Sequence, residues 1–304
     1  MKAFISRLKY KMKRHPFLHK ARWFMVTKSP KPLFFRNENY NAYNSKDDIH
    51  PIFFEDNPIT ESEQHLSTLV KVIKIAEHFN TFFKRGRGLG LSSRDSYVTM
   101  RYKKGGVCSD YAQVFINFCI INDIKIREWG IKGGTQSVIG GHSFNEFWSE
   151  ELKKWILIDV YNGMFIINKS SRELLSVSQL VDYMSGFNAD NLDFEILVDR
   201  KEPLNKLKLS KYFFDNRNLF FLITNYRIKK VDAFLKYQNI VPLALLHTSL
   251  IFFKRYFNYR FYVNENNINY VRETLKPILK YNYAPNFNAG ELAGAVAEDA
   301  FAEA

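Results

Sequence analysis

Three short stretches of this chain carry residue types that do chemistry together: Gly105-Gly106-Val107-Cys108-Ser109-Asp110-Tyr111-Ala112, then Gly141-His142-Ser143-Phe144-Asn145-Glu146, then Trp155-Ile156-Leu157-Ile158-Asp159. A cysteine, a histidine and an aspartate follow one another in that order. A thiol is a useful nucleophile only as its thiolate. A nearby imidazole takes the proton, and a carboxylate fixes the tautomer of that imidazole. Cys108, His142 and Asp159 are therefore expected to form a thiol triad.

Each member needs an element to hold it. The diglycine allows a tight turn ahead of Cys108. Residues 109–121 lack Gly and Pro, and Tyr111, Ala112, Phe115, Phe118 and Cys119 recur at helical spacing. That pattern predicts a buried helix with Cys108 in its first turn. The free backbone N–H groups and the positive dipole end there would favour a thiolate, and would also stabilise an oxyanion. In residues 142–148 the alternation puts His142, Phe144, Glu146 and Trp148 on one face. A polar turn over 149–154 and an apolar strand over 155–160 complete a predicted hairpin that sets His142 beside Asp159. Other groups nearby read as structure. Cys119 is a buried small hydrophobe, and Asp110 and Glu146 are structural or solvated carboxylates.

The order and spacing of these motifs, over residues 105–165, resemble the core of the transglutaminase-like superfamily of papain-like thiol enzymes. Gly133-Gly134 and Gly140-Gly141 echo the family's glycine-rich segment ahead of the histidine. The resemblance implies an α+β, papain-like core with a nucleophile helix packed on an antiparallel sheet, and acyl transfer through a thioester. It also implies a second oxyanion donor upstream of the nucleophile, beside the Cys108 backbone amide; the candidates are Ser92, Ser93, Tyr97 and Tyr102. Val160-Tyr161 stands after Asp159 where many relatives have a proline and a threonine, which leaves the local substrate wall open.

The rest of the chain sets the limits. A chain of 304 residues, 46% hydrophobic and 16% aromatic, can bury a substantial core and is not disordered throughout. Two cysteines at unlike sites form no disulfide framework, so a reducing, cytoplasmic setting is expected, with the chain soluble or peripheral to a membrane. The seven histidines are scattered and no Cys-x-x-Cys occurs, so neither metal nor cofactor is expected. Gly86-Arg87-Gly88-Leu89-Gly90 lacks the lysine and the spacing of a phosphate loop.

Residues 1–57 read as a basic arm and linker. The first 37 residues hold eleven Lys and Arg and no Asp or Glu, and so carry most of the net charge of +13. Phe4, Ile5, Leu8 and Met12 would share one side of a short helix there. Residues 1–36 read as a solvated or core-packed leader or as a contact for an anionic membrane surface, with nucleic acid ranked last. No apolar run suited to a secretory signal follows the basic residues. Residues 37–58 are polar and turn-rich; residues 60–83 look helical, with Thr60 and Glu63 as a capping box. The catalytic domain is placed at 58–203, with strands over 162–167 and 194–198 and a helix over 178–184. Residues 204–288 are expected to form an aromatic, basic helical accessory region, with helices over 219–228 and 231–235. The apolar run 240–253 is too short to span a bilayer and reads as a buried helix. The Ala/Glu-rich segment 289–304 is set aside as a flexible tail. The expected function is a thiol enzyme acting on protein or peptide amides, with hydrolysis favoured over amine transfer. The alternative is a catalytically silent scaffold attached through the basic arm.

Overall fold

The computed structural model of the chain describes residues 27–28, 44–87, 90–132, 141–185, 189–197, 209, 213–214, 220–241, 245–246, 249–250 and 256–262. After the short strand β1 (Thr27–Lys28) come four helices: α1 (Ile52–Glu55), α2 (Thr68–Phe82), α3 (Ser93–Tyr102) and α4 (Cys108–Ile121). Strands β2 (Ile126–Lys132), β3 (His142–Ser149), β4 (Lys154–Asp159) and β5 (Met164–Asn168) follow. The described elements end with α5 (Val177–Ser185), β6 (Leu192–Ile196), β7 (Phe220–Tyr226), α6 (Ile228–Leu235) and β8 (Tyr256–Tyr262). The chain is thus α+β.

The strands form one sheet in the order β1-β8-β7-β2-β3-β4-β5-β6. Its neighbours are antiparallel except β1 with β8. Alternation along the strands gives each face its own core. Ile126, Phe147, Ile156, Ile158 and Phe165 pack on one side with α1, α2, α3 and α4. Trp129, Phe144, Leu157, Met164 and Ile166 pack on the other with α5. Ten of the fourteen residues of α4 are buried, so it has no solvent face and behaves as a core helix. Phe118 and Phe115 of α4 meet Phe79 of α2 edge-to-face, with centroids 5.6 and 5.5 Å apart. Phe118 meets Phe53 of α1 in the same way at 5.3 Å. Aromatic quadrupoles favour this geometry. It fixes the axial position of α4, and with it the place of Cys108.

The hairpin β3–β4 forms as expected, with Trp148 opposite Trp155 and Asn145 opposite Ile158. The Arg127 guanidinium of β2 lies 3.4 Å over the Trp155 ring. The turn that joins the two strands also serves α2. Glu151 Oε1 accepts the Leu69 N–H at 2.6 Å, placing a carboxylate at the helix N-terminus beside the Ser67 cap. The Thr60–Glu63 pair does form, Glu63 Oε2 accepting the Thr60 N–H at 3.1 Å. It closes a single 3₁₀ turn, and the α-helix begins five residues beyond that turn's end, after Ser67.

Two expectations are corrected. Residues 44–57 do not act as a linker, because Ile49 and Phe53 are buried in the core beside α4. Residues 204–288 are not a helical accessory region throughout. Residues 220–226, expected as helix, form β7, paired antiparallel to β2. A run of Phe, Leu, Ile and Thr suits a pleated surface, and the open edge of β2 needed a partner for its backbone groups. The helix expected over 231–235 is present within α6. The basic arm apart from β1 and the tail 289–304 lie outside the described residues. Within the run 240–253 the described Leu246 and Leu250 are buried. Among the described residues no helix is long and apolar enough to cross a membrane.

Candidate thiol site

Cys108 is the first residue of α4 and is half-buried. Two short segments cross just ahead of it. The Gly86 N–H donates to the Gly106 carbonyl at 2.8 Å, and the Gly106 N–H to the Lys84 carbonyl at 2.9 Å. The crossing is close enough to require glycine. A Cβ on Gly86 would run into the Lys104 carbonyl, and one on Gly105, at φ +74°, into that of Lys84. Asp110, buried one turn into α4, accepts the Val107 N–H at 3.0 Å. It is the structural carboxylate the sequence suggested. The Asp110 and Tyr111 N–H groups are the first in the helix to find a carbonyl, that of Val107. The Cys108 and Ser109 amides precede them, and among the described residues neither meets an acceptor, as helix geometry dictates for the first turn.

His142 opens β3 and is 7% exposed. Its Nε2 lies 2.6 Å from Asp159 Oδ2 at the end of β4. Burial by itself would push the imidazole towards its neutral form. The Asp159 charge and hydrogen bond, joined by a hydrogen bond and charge interaction with the Cys108 sulfur, override that and hold its pKa well above the ordinary value. Asp159 thus engages Nε2 and leaves Nδ1 for the thiol, the reverse of the nitrogen use in the Ser-His-Asp arrangement. Among the described residues, three rings wall the imidazole. Phe213 lies edge-on at 5.5 Å, Tyr161 edge-on at 6.1 Å and Phe144 roughly parallel at 6.4 Å.

Asp159 is fully buried, and a residue the sequence reading passed over holds it in place. Asn162 donates its backbone N–H to Asp159 Oδ1 at 3.0 Å and its amide Nδ2 to Asp159 Oδ2 at 2.6 Å. The signal was available as Asp-x-x-Asn-Gly between two apolar strands, a tight turn in which Asx side chains bond their own backbone. Glu146 is structural, as expected. Its carboxylate accepts from the Trp129 indole and from the Val177 N–H at the start of α5, both at 2.8 Å.

The four upstream oxyanion candidates are engaged elsewhere. The Tyr97 hydroxyl is buried and hydrogen-bonded to Asp56. Ser93 Oγ donates to Asp232 at 3.1 Å, and Ser92 caps α3 through the Asp95 N–H. Tyr102 is 63% exposed, its hydroxyl accepting from Arg101 Nε at 3.0 Å. Among the described residues, the donors at the thiol are the first-turn amides of α4. Cys119 is wholly buried, and burial pushes its thiol pKa well up, whereas Cys108 is half-buried. Among the described residues no three His, Cys, Asp or Glu side chains converge as a metal site. Comparison with protein-family models, curated proteins and solved structures gives no match to this chain.

Proposed function

We propose that this chain is a thiol enzyme of transglutaminase-like architecture with a papain-like core, acting on amide bonds of proteins or peptides. Cys108 gives its proton to His142 Nδ1, and the sulfur adds to the amide carbonyl. The oxyanion develops at the Cys108 and Ser109 amides at the positive end of α4. As the C–N bond breaks, His142 returns the proton to the departing amine and a thioester remains on Cys108. Water then gives a proton to His142 and its oxygen to the carbonyl. The C–S bond breaks, the acid leaves and the thiol is restored. Hydrolysis is favoured over transfer to a second amine, because water needs no acceptor pocket.

One observation carries the reading: a buried imidazole bonded at 2.6 Å to a fully buried carboxylate and interacting with the sulfur at a helix N-terminus. The test is capture of the acyl group. The intact chain is incubated with cell lysate, trapped and digested, and Cys108 is examined by mass spectrometry against Cys108→Ala. A discrete acyl mass on Cys108 supports the reading and names the substrate class. Iodoacetamide labelling of Cys108 no faster than a model thiol would refute it.

A further inference from the structure

The two segments that cross ahead of Cys108 carry an excess of positive charge that the fold does not explain. Lys84, Arg85 and Arg87 stand on one, Lys103 and Lys104 on the other, and all five are exposed. Glycine contacts at Gly86 and Gly105 press the two backbones together, so these cations stand on two adjoining segments that together form a basic ridge in sequence. Like charges held this close repel. Among the described residues none of the five forms an ion pair with a carboxylate; the nearest acid in sequence, Asp110, is turned inward onto the Val107 and Gly90 N–H groups.

Arg85 is also tied to the reactive end of the site. Its guanidinium donates to the Tyr161 carbonyl at 2.6 Å and lies 4.5 Å over the Tyr161 ring. The same ring stands edge-on to His142 at 6.1 Å. One ring therefore separates a fixed, exposed cation from the imidazole. Stacking and the carbonyl bond leave part of the guanidinium fork available, and that planar group recognises carboxylates in two-point fashion.

We propose that this ridge selects substrate, so that the amide attacked by Cys108 lies beside an acidic peptide segment whose carboxylates are met by Arg85, Lys103 and Lys104. The inference rests on the acyl-transfer reading and adds the substrate's character to it. An acidic peptide is preferred over a nucleic acid because the ridge borders a carbonyl-directed nucleophile, and a face of the half-buried Tyr161 ring is already occupied by Arg85.

The test uses two peptides of equal length carrying the same thiol-reactive chloroacetyl group, one flanked by glutamates and the other by glutamines. The intact chain should label at Cys108 about three- to tenfold faster with the glutamate peptide at low salt, and the advantage should shrink as salt screens the ridge. Lys103→Glu with Lys104→Glu, at exposed positions, should abolish or invert the preference while iodoacetamide labelling stays fast. Arg85→Gln should lower it. Equal rates with both peptides, or a preference that survives both sets of substitutions, would overturn the inference and leave the acyl-transfer reading standing. Equal rates together with protection of Cys108 by a single-stranded oligonucleotide would overturn it in favour of a nucleic acid. Slow labelling by every reagent, iodoacetamide included, would overturn the acyl-transfer reading itself.

Discussion

Glu128 sits in β2 beneath α4, buried, with the Tyr226 hydroxyl donating to its Oε2 at 3.1 Å. Burial, helped by the nearby Asp110 charge and opposed by the Tyr226 hydrogen bond, raises its pKa from 4.5 to about 7. The native state therefore holds a proton that the unfolded chain releases near pH 4.5. Stability conferred by the neutral acid is complete below that pH and is lost as pH rises through about 7. At about 1.36 kcal/mol per pKa unit, the interval is worth roughly 3 kcal/mol once Glu128 is charged. Glu128→Gln keeps the size and an acceptor for Tyr226 but cannot ionise. Its stability should exceed that of the parent by an amount that grows by roughly 2 kcal/mol between pH 5 and pH 8.5. Urea unfolding followed by tryptophan fluorescence at the two pH values measures this directly, and the pH dependence of every other group cancels in the comparison. Parallel stability curves for the two proteins would refute a dry environment beneath α4.

Asp159→Asn should lower the pH at which the His142 imidazole signal titrates, because the charge that overrides its burial is gone; in the parent that titration lies above the ordinary histidine range, and an unmoved midpoint would refute the pairing. Asn162→Ala should cut acyl turnover about tenfold through loss of a charged hydrogen bond, while iodoacetamide still labels Cys108; unchanged turnover would remove Asn162 from the site. Gly105→Ala should cost at least about 2 kcal/mol, read as a fall in melting temperature, since φ +74° and the Lys84 carbonyl both reject a side chain. Deleting residues 1–26, which spares β1, should abolish binding to anionic vesicles at low salt without slowing Cys108 labelling; binding that survives would place membrane attachment elsewhere.

The elements nearest the chemistry were the most legible. Helix α4 declared itself by helical recurrence of apolar residues without a breaker, and β3–β4 by alternation on either side of a polar turn. Strand β7 did not, because a short aromatic and apolar run fits both periods. What decided it was the unfilled edge of β2, nearly a hundred residues earlier in the chain, and that is not a local property. Residues 44–57 failed for a different reason. Their composition is largely polar, yet Ile49 and Phe53, with Ile52 beside them, fill space in the core around α4, and a helix of four residues leaves too little pattern to detect.

The grouping of Cys108, His142 and Asp159 was readable because these three residue types are chemically uncommon together in that order, whereas its supports depend on register. Asn162 matters only because β4 ends at Asp159 and the turn folds back within hydrogen-bonding distance. Phe213 matters only because a distant segment returns to cover His142. Tyr161 shows most about how the site is assembled. It stands where the resemblance to transglutaminase-like proteins fits least, and read alone it weakens that likeness. In the fold it shields the imidazole on one side and seats Arg85 on the other. A smaller residue there would admit water to His142, and since desolvation and the Asp159 charge act on that ring in opposite senses, its proton affinity would change with it. The same change would release the guanidinium. Shielding of the imidazole and placement of the cation thus depend on one ring, so Tyr161→Ala should alter both the titration of His142 and the preference for the glutamate peptide. If either moved alone, the ring would not be the link between them.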